Sequence, residues 1–126
     1  MQSYKELVVY KKSYEQAKEI YRLTKTFPKE ELYAMTSQIK RAATSIPLNI
    51  AEGYGKMETG KEVLRFLSMA RGSSAEMEVL LEMAKDFAWI SESEYNEFNE
   101  RQTEIGKMLT KLMRSIQEKQ SQSTNY

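Results

Sequence analysis

Apolar residues recur along the chain at steps of three and four, the spacing that brings side chains onto one face of an α-helix. The first run is Leu7, Tyr10, Tyr14, Ala17, Tyr21 and Thr24, widened by Ile20 and Phe27, and it predicts a helix from about Glu6 to Lys25. Pro28 drives Phe27 out of the helical region and so ends that helix. Pro28 itself suits the first turn of the next helix, where its missing N–H costs nothing. The second run, Leu32, Met35, Ile39, Ala42, Ile46 and Ile50, predicts a helix from about Glu30 to Glu52 that Gly53 and Gly55 close. Pro47 lies inside it, removes one backbone hydrogen bond and crowds the carbonyl of Ala43, so a kink is expected there.

The segment from Gly53 to Gly60 is then the longest connection. Thr59 and Glu62 have the spacing of a capping box and open a third helix, about Gly60 to Ala88. Its stripe is Val63, Phe66/Leu67, Ala70, Ser73/Ser74, Met77, Leu80/Leu81, Ala84 and Phe87. The centre, Ala70 to Ala75 with Gly72, is mostly small residues, which let another helix come close. Ser91 and Glu94 repeat the capping pattern and start a fourth helix with the stripe Tyr95, Phe98, Gln102, Ile105, Leu109, Leu112 and Ile116. Residues 117–126 are polar apart from a final tyrosine and are expected to fray as a disordered tail. The pattern predicts an all-α, antiparallel up-and-down four-helix bundle over residues 1–116, with the second helix kinked at Pro47.

Composition narrows the chemistry. The 126 residues suit one domain that buries enough surface to need no staples. Cysteine is absent, which excludes disulfides, zinc fingers and thiol chemistry. Histidine is absent too, which removes the commonest general base and transition-metal ligand and the usual neutral-pH switch. No stretch approaches the roughly 20 apolar residues of a membrane span. Met1 to Lys12 carries charges where a signal peptide has its apolar region, so a cytoplasmic protein with no membrane partner is expected.

Candidate chemical groups are few. Di-iron bundles need Glu-x-x-His pairs, which this chain cannot build. Glu76, Glu78 and Glu82 form the densest carboxylate group, and a solvated face explains them better than a hard-cation site, which needs more convergent oxygens. Gly53-Tyr54-Gly55 lacks the spacing of a phosphate loop, and the serines have no histidine base. The expectation is no catalytic residue, no metal and no cofactor. Pro47, Asn49, Glu52, Gly53 and Gly72 read as structural, with Glu52 expected to pair with Arg65 or Arg41.

The cations are more suggestive. The net charge is only +1, but residues 1–71 hold 13 Lys/Arg against 8 Asp/Glu, while residues 72–126 hold 6 against 10. Lys11, Lys18, Arg22 and Lys25 share a face of the first helix, interrupted by Glu15. Lys40 and Arg41 are adjacent on the second. Lys56 and Lys61 flank the glycine-rich connection, and Arg65 and Arg71 follow. Such side chains displace counterions from a phosphate backbone, although Lys and Arg also simply solubilise helices.

The run Thr36-Ser37-Gln38-Ile39-Lys40-Arg41-Ala42-Ala43-Thr44-Ser45-Ile46-Pro47-Leu48-Asn49-Ile50-Ala51-Glu52-Gly53-Tyr54-Gly55 resembles the bacterial four-helix-bundle proteins encoded in intervening sequences of 23S ribosomal RNA genes. Arg65-Phe66-Leu67 with Ala70-Arg71-Gly72-Ser73-Ser74-Ala75-Glu76 is similar to that family's second motif, and Leu7-Val8-Val9-Tyr10 and Phe27-Pro28 fit as well. Leu48 departs from the family, which more often has a small polar residue there, and Lys56 stands where arginine is common. The resemblance spans roughly residues 4–116. It implies a homo-oligomer, a ring of five bundles, and kinship with the accessory variability determinant proteins of diversity-generating retroelements, which bind nucleic acid. Of the basic positions, Lys40, Arg41, Lys56, Arg65 and Arg71 fall within the family's motifs.

The expected function is a non-enzymatic oligomeric bundle that binds RNA or DNA by phosphate contacts. Its candidate residues are Lys11, Lys18, Arg22, Lys40, Arg41, Lys56, Lys61, Arg65 and Arg71. The alternative is a protein-interaction scaffold, with an unidentified protein partner and no direct nucleic-acid role. A small-molecule or metal site in the bundle core is a third reading, and it requires charged side chains pointing inward.

Overall fold

A computed structural model describes residues 3–56 and 59–123, and the side chains of Lys56, Gln122 and Ser123 lie outside that description. Four helices account for most of it: α1 (Val8–Leu23), α2 (Met35–Lys56), α3 (Gly60–Asp86) and α4 (Glu92–Ser123). Short 3-10 turns stand at Tyr4–Glu6, Thr24–Thr26 and Lys29–Glu31. Each helix packs on its two neighbours around a square, α1 on α2 and α4, and α3 on α2 and α4, with α2 against α3 the most extensive contact.

Side-chain pairs show the antiparallel order directly. Lys12 meets Glu104 while Gln16 meets Phe98 and Gln102. Gln38 meets Glu76 and Ser45 meets Ser73. Gly106 lies against Ser74 while Thr103 meets Glu78. In each pair one number rises as the other falls, which is the up-and-down bundle that the periodicity predicts.

The core follows the predicted stripes with two corrections. On α1 the buried face is Val9, Ser13, Gln16, Ala17, Ile20 and Leu23. It is turned away from the expected Leu7–Tyr10–Tyr14–Tyr21 line, and Tyr14 and Tyr21 are each 47% exposed. A phenol ring packs well on one side while its hydroxyl stays in water, so tyrosine tolerates the edge of a core where isoleucine does not. On α2 the helix starts at Met35, not near Glu30, because Pro28 opens only a single 3-10 turn. Leu32 is consequently left half exposed.

Gly53 and Gly55 do not end α2, which runs on to Lys56. Gly53 is buried where α2 crosses α3, and a Cβ there would lie 2.9 Å from Phe66 Cβ. Its hydrogen is what lets the two backbones approach. Gly55 and Gly72 have open space around them, so the close contact belongs to Gly53 alone of the three. Pro47 sits buried within an otherwise continuous α2. Beside it Asn49 donates to the Ser45 carbonyl at 2.8 Å and to Ser45 Oγ at 2.9 Å, and Ser73 donates to the same hydroxyl from α3 at 2.8 Å. Glu52 is exposed, and Arg65 pairs with Glu62 at 3.1 Å instead, one helical turn away on its own helix. No strong geometric demand therefore rests on Glu52.

Both predicted N-caps form, the second as a full capping box. Thr59 Oγ1 accepts from the Glu62 N–H at 3.1 Å, and Ser91 and Glu94 exchange reciprocal bonds at 3.0 and 2.8 Å. The α3 terminus is a Schellman motif: Trp89 N–H reaches the Ala84 carbonyl and Ala88 N–H the Lys85 carbonyl, both at 2.9 Å. That closure holds Ala88 at φ 61°, the left-handed region. Trp89 then stacks on Phe27 and Phe87 and plugs that end of the bundle. The polar segment after Ile116 continues α4 to Ser123 instead of leaving the helix. No described helix is long and apolar enough to cross a membrane.

Two stability predictions follow from the glycine and alanine positions. Gly53→Ala overpacks the α2–α3 crossing and is expected to destabilise by about 1–3 kcal/mol. Gly55→Ala meets nothing and is expected to stabilise by up to about 1 kcal/mol through helix propensity alone. Equal effects of the two in urea denaturation would contradict the close-approach role of Gly53. Separately, Ala88→Gly relieves a left-handed alanine and is expected to gain about 1 kcal/mol, read as a higher denaturation midpoint at unchanged m-value.

Candidate nucleic-acid interface

The rotation of α1 that buries Gln16 and Ile20 turns Tyr10, Tyr14 and Tyr21 toward α2. Between them and α2 lies an open groove of about 1120 Å³. Its shape comes from side-chain length. Ala17 and Thr24 on the α1 side face Thr36, Thr44, Pro47 and Ala51 on α2, all short or compact, so the helices leave a trough between them. Tyr4, Tyr10 and Tyr14 follow one another along one wall, with ring centroids 5.1 and 5.9 Å apart. Leu32 and Leu48 stand on the other side, and Leu48 is 65% exposed.

The charge lining this groove is one-sided. Lys18, Arg22, Lys25, Lys29 and Lys40 line it, and no carboxylate among the described residues does. Lys40 Nζ lies 4.7 Å from the Tyr21 ring centre and Lys18 Nζ 5.6 Å from that of Tyr14, so the cations and rings are interleaved. Lys18 is also paired with Glu15 at 3.3 Å, and Arg22 with Glu19. All four of these side chains are substantially exposed, and such pairs hold little free energy that an incoming phosphate could not replace.

The nine basic residues singled out in the sequence do not form one surface. Lys18, Arg22 and Lys40 meet in the groove. Arg41 adjoins it in a shallow cleft shared with Tyr21, Tyr33 and Lys40. Lys11 lies on the far flank of α1, beside Lys12, Glu15 and Arg101. Lys61 and Arg65 are on the first turns of α3, where Arg65 also stacks 4.4 Å from the Phe66 ring. Arg71 faces α4. The Lys56 side chain lies outside the described residues. Lys25 and Lys29, which the sequence reading left out of the site, line the groove with the others. The signal for Lys25 was its three-residue step from Arg22. Lys29 carried none, because its position depends on the turn after Pro28.

No charged side chain is buried among the described residues; the buried polar ones are Ser13, Gln16, Thr24, Thr36, Asn49, Ser74 and Gln102. The carboxylates on α3 serve local contacts: Glu76 accepts from Gln38 at 3.3 Å and Glu78 from Thr103 at 3.2 Å.

Two phenols, Tyr10 on the groove wall and Tyr54 outside it, hold their protons more tightly than usual. Burial, then the neighbouring Tyr4 and Tyr14, hold the Tyr10 hydroxyl above the usual phenol range. Burial raises Tyr54 in the same way. A raised folded-state value means the folded chain binds these protons more tightly than the unfolded one. The associated stability is therefore complete below the ordinary phenol value of about 10 and is lost as pH climbs through the raised values. An alkaline titration of phenolate absorbance is expected to show a late fraction that Tyr10→Phe/Tyr54→Phe removes. If all tyrosines titrate together, this account of the groove wall is wrong.

Comparison with known proteins places this geometry. The family model for 23S rRNA-intervening sequence protein matches residues 5–111. A solved structure of a protein of unknown function from the S23 ribosomal protein family of Bacteroides thetaiotaomicron is similar, with 31% identity and a TM-score of 0.77. The match covers 84% of this chain and 98% of that one. No curated protein is significantly similar.

Proposed function

The chain belongs to the family of 23S rRNA-intervening sequence proteins, and on that footing we propose that it is a non-enzymatic, oligomeric helical bundle that binds RNA or DNA, with single-stranded nucleic acid lying in the α1–α2 groove. The observation that carries the reading is the lining itself: five cations and three successive tyrosines with no carboxylate among them. Proteins that hold single strands combine these same two elements, cations that follow the backbone and aromatic faces on which bases stack. Neither element reads sequence, so little base specificity is expected. The cations neutralise phosphates and release counterions, and each tyrosine face contributes roughly 1–3 kcal/mol per stacked base. Assembly into a ring of several copies, five by the family resemblance, would repeat the groove and multiply the contact.

A second reading, a protein-interaction scaffold with no direct nucleic-acid role, has its own supporting observation. Leu32 and Leu48 are exposed along the α2 side of the same groove and Tyr33 in the cleft beside it, and Val79 and Met83 on α3 and Phe87 at its end are exposed as well. Apolar surface of this kind is what subunit contacts cover.

Fluorescence anisotropy with a labelled single-stranded oligonucleotide, at two salt concentrations, separates the readings. With about four phosphates neutralised, affinity is expected to fall roughly 50-fold for a fourfold rise in salt. Lys25→Glu/Lys40→Glu is expected to cost at least about tenfold at unchanged helicity. Absence of binding at low salt, from protein whose oligomeric state light scattering has established, removes the single-strand reading of the groove. If Leu48→Asp then dissociates the assembly, the scaffold reading takes its place.

A further inference from the structure

The α3–α4 side of the bundle carries a second cationic cleft, across the square from the α1–α2 groove. Arg71 projects into it from α3, and Lys107, Lys111 and Arg114 from α4, around a hollow of about 600 Å³. The floor is Ser74, Ala75, Gly106 and Thr110, short enough that a ligand can come close to both helices. A Cβ on Gly106 would lie 3.4 Å from Ser74 Oγ, so the helices are close together beneath the cleft.

Among the described residues these four cations are free of ion pairs, a property they share with Lys25, Lys29 and Lys40 of the α1–α2 groove. None has an ion-pair partner within 4.0 Å among the described residues, whereas Lys12, Lys18, Arg22, Arg65, Lys85 and Arg101 are all paired. The one carboxylate at the cleft, Glu78, is at its far end and accepts from Thr103. Glu104, also on α4, is turned away to Lys12 on α1. Four positive charges share this small surface with one carboxylate and repel one another.

We propose that this cleft is a separate phosphodiester site, and that it holds the backbone of double-stranded nucleic acid. The geometry favours a duplex for two reasons. No aromatic side chain among the described residues lines the cleft, so they offer nothing on which an unpaired base could stack. Lys107, Lys111 and Arg114 share one face of α4 and extend about 10 Å along its axis, the length of about three phosphates of one duplex strand. The two surfaces thus divide the work: rings and cations for an unpaired strand on one side, cations alone for a paired segment on the other. The single-strand half of that division rests on the function proposed above, but the duplex site does not.

The experiment crosses two ligands with two variants. Wild-type protein is titrated with a labelled blunt DNA duplex and with a labelled single strand, and so are Lys107→Glu/Lys111→Glu and Lys25→Glu/Lys40→Glu. The cleft variant is expected to lose at least about tenfold in duplex affinity, and its duplex salt slope to drop by about two. Its single-strand affinity is expected to stay within twofold of wild type. Lys107→Arg/Lys111→Arg keeps the charge and is expected to retain duplex binding, which guards against a folding artefact. Duplex affinity that is absent at low salt, or unchanged in the cleft variant, overturns the proposal. Loss of single-strand binding alone would count against the α1–α2 groove and leave the duplex site standing.

Discussion

A chain of buried hydrogen bonds through the middle of the bundle fixes how its helices are turned. Gln102 is fully buried on α4. Its amide donates to Ser74 Oγ on α3 at 2.9 Å, and its carbonyl oxygen lies 3.4 Å from Gln16 Nε2 on α1. Gln16 donates to the Phe98 carbonyl at 3.0 Å and accepts from Arg101 Nε at 3.1 Å. A second set, Asn49–Ser45–Ser73, joins α2 to α3. Apolar stripes alone permit a helix to roll by a few tens of degrees at small cost, because one aliphatic contact replaces another. A buried amide does not permit it, since each unmet polar atom costs about 1–3 kcal/mol. Every buried side-chain nitrogen and oxygen among the described residues has its partner, so the rotation seen is one that leaves none unmet.

That rotation has surface consequences. With Gln16 held inward on α1, Val9, Ser13, Ile20 and Leu23 go with it, and Tyr14 and Tyr21 are carried to the edge facing α2. Lys18 and Lys25 stand one turn beyond Tyr14 and Tyr21, and Arg22 follows Tyr21 directly. The groove and its charge are therefore set by a polar contact in the core. On the opposite side, Gln102 and Ser74 bring α4 against α3 where both have small residues, Gly106 and Ala75 included, and the cleft with Arg71 and Lys111 opens above that line. Functional surface and core specification are one arrangement seen from two directions.

This explains what was legible in the sequence. Helix number, order and antiparallel pairing come from periodicity and caps, which are local, and the N-caps at Ser91 and Thr59 formed as read. The kink-prone Pro47, the small-residue crossing and the family motifs were visible for the same reason. The errors cluster where a nonlocal contact overrides a local signal. Gly53 looked like a helix stop, and became a crossing point because Phe66 needed the room. Tyr10, Tyr14 and Tyr21 looked like core because they are apolar at the right spacing, but Gln16, which no hydropathy pattern would place inside, took that direction. The site was legible only in part, since three of its cations were on the expected face and Lys29 depended on a turn. The grouping of Arg71 with Lys107, Lys111 and Arg114 required knowing which face of α4 meets α3.

The near-neutral composition looks at first like an argument against an anionic ligand, since dedicated nucleic-acid binders are usually more basic. The structure shows why net charge is a poor guide here. Many of the acids are spent on partners: Glu15, Glu19, Glu62, Glu97 and Glu104 each hold a cation, and Glu76, Glu78 and Glu94 accept hydrogen bonds that tie or cap helices. What a ligand meets is the local field, and counterion release depends on the charges within about 10 Å of the phosphate at ordinary ionic strength. Two faces lined by five cations and by four, separated by the full width of the bundle, are electrostatically independent on that length scale. A total of +1 is then the sum of two basic faces and acidic surface elsewhere, an arrangement that leaves the chain near neutrality while each face remains able to hold phosphate.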